Sequence, residues 1–294
     1  MNNKVLSWGI FILLSFIWGS PFIIMKLSKE SLPPLLITSL LIFSAGIVLL
    51  PFALFHISKI SPKKIGFVLI AGIFGNLVPA FLYPIAISNN VDSALAGILN
   101  ALTPIFVIIL GFLFFRNRVS STKAIGVLIG FTGICLLTFM EQTINFQNSG
   151  YALLIVLATI SYAFNILLVS YFLKEQNPIH ITTVSISFLI IPSAFILWQQ
   201  GFLTLNFHNS DILESVSAVA LLGIAGTAIA TGLFYILLKK GGGVFASMII
   251  YGTPFVALFW GFIYHEKITT IRIVSLIIIL AGVYLASRKS NENK

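Results

Sequence analysis

Acidic residues are almost missing from this sequence. Eight Asp and Glu stand among 294 residues beside 17 Lys and Arg, and charged residues make up 9%. A soluble domain carries about 25%, because its surface must be hydrated, so this deficit excludes a water-exposed globule. Cysteine is scarcer still. Cys135 stands alone in an apolar run, which excludes an internal disulfide and a thiolate metal site. The four histidines, His56, His180, His208 and His265, lie near the ends of apolar stretches, and none has a partner at metal-ligand spacing. No metal or other cofactor is expected. Gly241-Gly242-Gly243 is not followed by the Lys-Ser/Thr pair of a phosphate loop, so ATP hydrolysis by this chain is excluded. Basic runs and aromatic–basic clusters are also absent, and no nucleic-acid partner is expected despite a net charge of +9. The interiors of the apolar stretches hold no charged residue and no nucleophile–base set, which excludes a membrane enzyme.

What the chain does have is hydrophobic length. Apolar residues make up 58%, and a hydrocarbon core of about 30 Å needs roughly 20 apolar residues per helix. Reading runs against breaks predicts ten spans near 5–25, 33–55, 65–87, 93–115, 122–140, 150–172, 180–200, 216–238, 243–264 and 269–287. The breaks carry charge or turn residues: Pro33-Pro34, Ser61-Pro62-Lys63-Lys64, Asn89-Asn90, Arg116-Asn117-Arg118, Lys174-Glu175 and Lys239-Lys240. Val5 to Ile24 is too long for a signal-peptide core and reads as a retained first span. The fold class expected is an all-α membrane protein whose surroundings are the lipid bilayer. The connections are too short for an extramembrane domain, and a monomer is sufficient.

Ten spans put both termini on one side. That side carries Lys4, Lys59, Lys63, Lys64, Arg116, Arg118, Lys123, Lys174, Lys239, Lys240, Arg288, Lys289 and Lys294, thirteen of the seventeen basic residues. The other side carries Lys26, Lys29, Lys267 and Arg272. Positive residues favour the cytoplasmic side, so both termini are expected in the cytoplasm of a bacterial cell, with the protein in its inner membrane. The basic excess is an orientation signal.

The chain also repeats itself. Ala96–Pro104 (AGILNALTP) matches Ala246–Pro254 (ASMIIYGTP) at an offset of 150, and Gly72–Asn76 (GIFGN) resembles Gly223–Thr227 (GIAGT) at an offset of 151. This divides the chain into residues 1–145 and 146–294, with five spans each. Five is odd, so the second half enters the membrane inverted. Loop chemistry reverses accordingly: Lys59, Lys63 and Lys64 after span 2 correspond to Asp211 and Glu214 after span 7.

Trp18-Gly19-Ser20 in span 1, Thr-Pro in spans 4 and 9, Glu266 followed by Ile268, and the Gly282-Val283-Tyr284-Leu285 ending together resemble the EamA family of the drug/metabolite transporter superfamily. One unit falls in each half. One departure is that Arg116-Asn117-Arg118 replaces the acid usually found after span 4. The resemblance implies a basket of helices around a central cavity that opens alternately to the two faces, with spans 5 and 10 as braces. It also implies export of an amino acid or related metabolite.

With no charge inside the spans, the pathway must use uncharged polar and aromatic side chains, and a neutral or zwitterionic small molecule fits best. Helical spacing puts Asn76 and Tyr83 on one face of span 3, and groups Asn100 with Thr103, Tyr162 with Asn165, and Ser247 with Tyr251. Thr227, Thr231 and Tyr235 form an i, i+4, i+8 stripe. Trp18 lies deep enough in span 1 to join them. Pro104 and Pro254 fall about halfway along their spans and are expected to kink them, freeing carbonyls for water or substrate and offering a gate. His265 beside Glu266 is the candidate for proton coupling. The competing functions are a transporter of another metabolite or drug-like solute and, behind it, a membrane sensor that does not transport.

Overall fold

The structure is a computed structural model that describes residues 3–20, 32–117, 119–141, 149–263 and 269–288. His265 and Glu266 lie outside them, as do Arg118 and the end of the first expected span.

The described residues fold into α1 (Asn3–Gly19), α2 (Pro34–Lys59), α3 (Pro62–Ser88), α4 (Ser93–Phe115), α5 (Ser121–Met140), α6 (Ala152–Phe172), α7 (Pro178–Gln199), α8 (Ser210–Gly241), α9 (Gly243–Trp260) and α10 (Thr270–Ser287). Among the described residues nine of these, α2 to α10, are long and apolar enough to cross a bilayer, and α1 is a shorter apolar helix. The chain is a multi-pass membrane protein. Its outer surface fits that environment: Phe114 is 75% exposed, Phe55 72% and Ile191 72%, a cost in water and none in hydrocarbon.

Local sequence sets the helix boundaries. Proline opens α2, α3 and α7, where its missing N–H costs nothing. Side chains of Asp92, Asn177, Asn209 and Thr269 cap α4, α7, α8 and α10, each satisfying an amide that the helix cannot.

The most extensive helix pair joins α5 to α10. A Cβ at Gly282 would lie 2.6 Å from the Gly126 carbonyl oxygen, and one at Gly126 would lie 2.6 Å from the Ala286 nitrogen. Only glycine lets these two backbones meet, the small-residue packing typical of membrane helices.

Five helices are internally irregular: α7 breaks at Leu189 between Pro178–Phe188 and Ile190–Gln199, and the other four form two matched pairs. α3 and α8 each contain a π-helical segment, Ile73–Leu77 and Ile224–Ile229. α4 breaks at Ala101–Leu102 between Ser93–Asn100 and Thr103–Phe115. α9 begins with Gly243–Ser247, tightens to a 3₁₀ segment over Met248–Gly252 and resumes at Thr253.

Candidate functional site: an uncharged cavity between seven helices

The irregular segments of the two matched pairs converge on a cavity of about 460 Å³. Its walls come from α1, α2, α3, α4, α6, α8 and α9, and among the described residues the lining carries no charged side chain. No lining residue comes from α5, α7 or α10.

Eleven of the twelve expected substrate-facing residues line it: Trp18, Asn76, Tyr83, Asn100, Thr103, Tyr162, Asn165, Thr227, Thr231, Tyr235 and Ser247. Not all of them offer a free polar group. The Trp18 indole N–H donates to the Gly226 carbonyl at 2.9 Å, inside the π segment of α8, and its ring packs on Phe234 at 5.5 Å. Trp18 therefore presents a ring face to the cavity. The matching π segment in α3 is held likewise, with Ser161 donating to the Phe74 carbonyl at 2.8 Å. Tyr235 donates to Asn165 Oδ1 and Thr231 to Asn76 Oδ1, both at a long 3.4 Å. Asn165 also fills the space over Gly75, where a Cβ would collide with its amide.

The breaks in α4 and α9 share one chemistry. Proline has no N–H, so Pro104 and Pro254 remove the i+4 helical donors of the Asn100 and Ile250 carbonyls; the Ile250 carbonyl keeps a bond from the Thr253 amide. Thr103 Oγ1 donates to the Asn100 carbonyl at 2.7 Å, and Thr253 Oγ1 to the Ile250 carbonyl at 2.9 Å. Thr-Pro thus carries its own repair, since the threonine hydroxyl gives each of these carbonyls a donor. The prolines lie inside their spans as expected. Each is the second residue of a helical segment, so the discontinuity lies just ahead of it.

Tyr251 is the exception among the expected contacts. It is fully buried outside the cavity lining, and its hydroxyl donates to the carbonyls of Ala101 at 3.1 Å and Val127 at 3.4 Å. Its ring lies against Gly130 of α5, where a Cβ would come within 2.6 Å. The i, i+4 pairing with Ser247 assumed about 100° per residue. The 3₁₀ segment turns roughly 120° per residue, which carries Tyr251 about 80° further round the helix.

Sequence reasoning missed Thr38 of α2 and Phe234 of α8, both in the lining. Thr38 has no polar residue at helical spacing to flag it, and Phe234 is one of 27 phenylalanines. It also left the histidines unpaired. His56 and His180 meet with ring centroids 4.4 Å apart, and His56 Nδ1 lies 3.0 Å from Thr183 Oγ1. The pair joins α2 to α7 away from the cavity.

A profile of the EamA-like transporter family matches residues 6–139 and 149–288. The chain belongs to the EamA-like transporter family. Similar members include an uncharacterized transporter of Archaeoglobus fulgidus, 27% identical over 96% of this chain and 99% of the relative. The inner membrane transporter YedA of Escherichia coli K12 is 26% identical over 86% and 81%. The transporter YoaV of Bacillus subtilis 168 is 22% identical over 92% and 93%. A solved crystal structure shares the fold of this EamA-like chain, with a TM-score of 0.75 and 19% identity over 97% of this chain and 96% of that one.

Proposed function

We propose that this EamA-like chain is a secondary transporter that moves a small neutral or zwitterionic metabolite, such as an amino acid, out of the cell by alternating access. The observation that carries this reading is the cavity itself. It is large enough for a small metabolite, is walled by helices from both halves of the chain, and combines aromatic faces with amides and hydroxyls but no charge. A lone ion would meet no countercharge there, whereas an uncharged or internally compensated solute needs none.

The proposed frame is ten spans in two inverted five-helix units, residues 1–145 and 146–294, with α1 as the first span. The double family match and the offset of about 150 between the Thr-Pro breaks support it. The proposed location is the bacterial inner membrane with both termini cytoplasmic, supported by the thirteen-to-four distribution of basic residues. His265 and Glu266 are proposed to serve in proton coupling.

The test is flux in proteoliposomes holding the purified chain, with a panel of neutral amino acids and other uncharged metabolites, with and without a pH gradient. Concentration-driven flux of at least one neutral or zwitterionic solute is expected. Folded protein that moves none of the panel, or that moves only ions, overturns the proposal.

A further inference from the structure

The polar groups around the cavity are not evenly balanced. Two side-chain atoms in the lining are buried without a hydrogen-bond partner, Asn76 Nδ2 and the Tyr83 hydroxyl. Tyr83 has Thr159 near it, but outside hydrogen-bond geometry. Asn76 Oδ1 is already occupied by Thr231, so what Asn76 has left is N–H. Both atoms belong to α3, seven residues apart and hence on one face. Three serine hydroxyls, of Ser120, Ser170 and Ser275, are also unpartnered, but none of them lines the cavity.

Three hydroxyls on α4 and α9 have the opposite character, beside the Asn100 amide of α4. Thr103 and Thr253 direct their hydroxyl hydrogens at the carbonyls that lose their i+4 donors to Pro104 and Pro254. Ser247 directs its own at the Val244 carbonyl at 2.7 Å, which the Met248 amide has left for Phe245 and Ala246. All three residues line the cavity. A hydroxyl whose hydrogen is engaged in this way keeps only lone pairs for a visitor. Trp18 and Tyr235, with their N–H and O–H engaged on Gly226 and Asn165, contribute ring faces.

We infer that the cavity reads the two ends of a dipolar solute on different walls. Asn76 and Tyr83 donate to a carbonyl or carboxylate oxygen at one end, and Thr103, Ser247 and Thr253 accept N–H hydrogens at the other. This rests on the transport reading above and gives it an orientation. The ligand class is a compact solute that carries an oxygen acceptor and an N–H-bearing group, with an apolar portion that lies on the aromatic faces.

The test uses the full chain in lipid nanodiscs and three aromatic probes without net charge: 4-phenylbutan-2-one (oxygen acceptor only), 3-methylindole (N–H only) and phenylalanine (both groups, zwitterionic). Binding is read by calorimetry. Asn76→Ala and Tyr83→Phe should weaken phenylbutanone and phenylalanine roughly tenfold while leaving methylindole within about twofold. Ser247→Ala and Thr253→Val should show the converse, weakening methylindole and phenylalanine but not phenylbutanone, and Thr253→Ser should restore wild-type binding. Thermal unfolding of each variant confirms that the chain is folded, and Ser247→Ala carries the test where Thr253→Val is unstable. Equal losses across the three probes, the reverse pattern, or no binding of any probe overturns the inference. Vesicle flux separates the two claims. The binding pattern without gradient-driven flux retains the inference and defeats the transport reading. Flux of a neutral solute that Asn76→Ala does not affect does the opposite.

Discussion

The α5–α10 seam and the cavity wall are both built from small and weakly polar residues, yet they do opposite work. In the seam Gly126, Gly130 and Gly282 remove side chains so that two backbones touch, and stability comes from close packing. In the cavity wall Gly75 and Gly226 sit in or beside π segments, the helices separate, and polar atoms are left without partners. The difference is in what happens to hydrogen-bonding groups, not in residue type. A seam excludes any visitor, while a wall with orphaned donors gains free energy when a suitable solute arrives.

Substitutions should therefore separate fold from ligand handling. The largest effect is expected from Gly282→Leu, whose side chain would be driven into the backbone of Gly126 and Gly130. A loss of about 3 kcal/mol or more should appear as a large fall in the thermal unfolding midpoint, and an unchanged midpoint would refute the seam. Thr103→Val comes next. It leaves the Asn100 carbonyl orphaned, at a cost of about 1–3 kcal/mol, and Thr103→Ser should recover the loss in the same unfolding assay. Tyr251→Phe removes a bond to Ala101 and Val127 and should cost about 1 kcal/mol without changing ligand affinity. A tenfold loss of affinity at unchanged stability would return Tyr251 to the cavity. The smallest effect on stability belongs to Asn76→Leu. It removes the unpartnered Nδ2 group together with the long bond from Thr231, so stability should change by less than about 1 kcal/mol, while solute flux falls to background.

Much of this was legible in the residues. The missing charge required a membrane setting, and the Thr-Pro pair recurring at an offset of 150 marked the two helix breaks. Asn165 and Tyr235 are legible by helical spacing because they and their partners Tyr162 and Thr231 lie in regular α-helix, and Asn76 with Tyr83 because the π segment of α3 ends one residue past Asn76. Tyr251 was misplaced because nothing in Met248–Gly252 announces a 3₁₀ turn, and the angular error accumulates over four residues. The role of Thr103 was hidden for another reason. A hydroxyl three residues from a polar amide reads as a binding pair, and only the geometry shows its hydrogen committed to the carbonyl that the next residue has orphaned. His56 and His180 are separated by most of the chain between α2 and α7, so their contact was beyond any local pattern.

The bond from Tyr251 to Ala101 joins residues 150 positions apart, which in the proposed frame of two repeats occupy corresponding places. In that frame, corresponding positions that touch lie close to the axis relating the halves, where an exchange of their shapes moves atoms least. Alanine has no hydroxyl with which to return the bond. If the halves trade conformations as proposed, the opposite-facing form has no equivalent link between position 101 and the carbonyl at position 251. A single tyrosine would then set a resting bias between otherwise similar end states. One net hydrogen bond of about 1 kcal/mol amounts to roughly a fivefold difference in population.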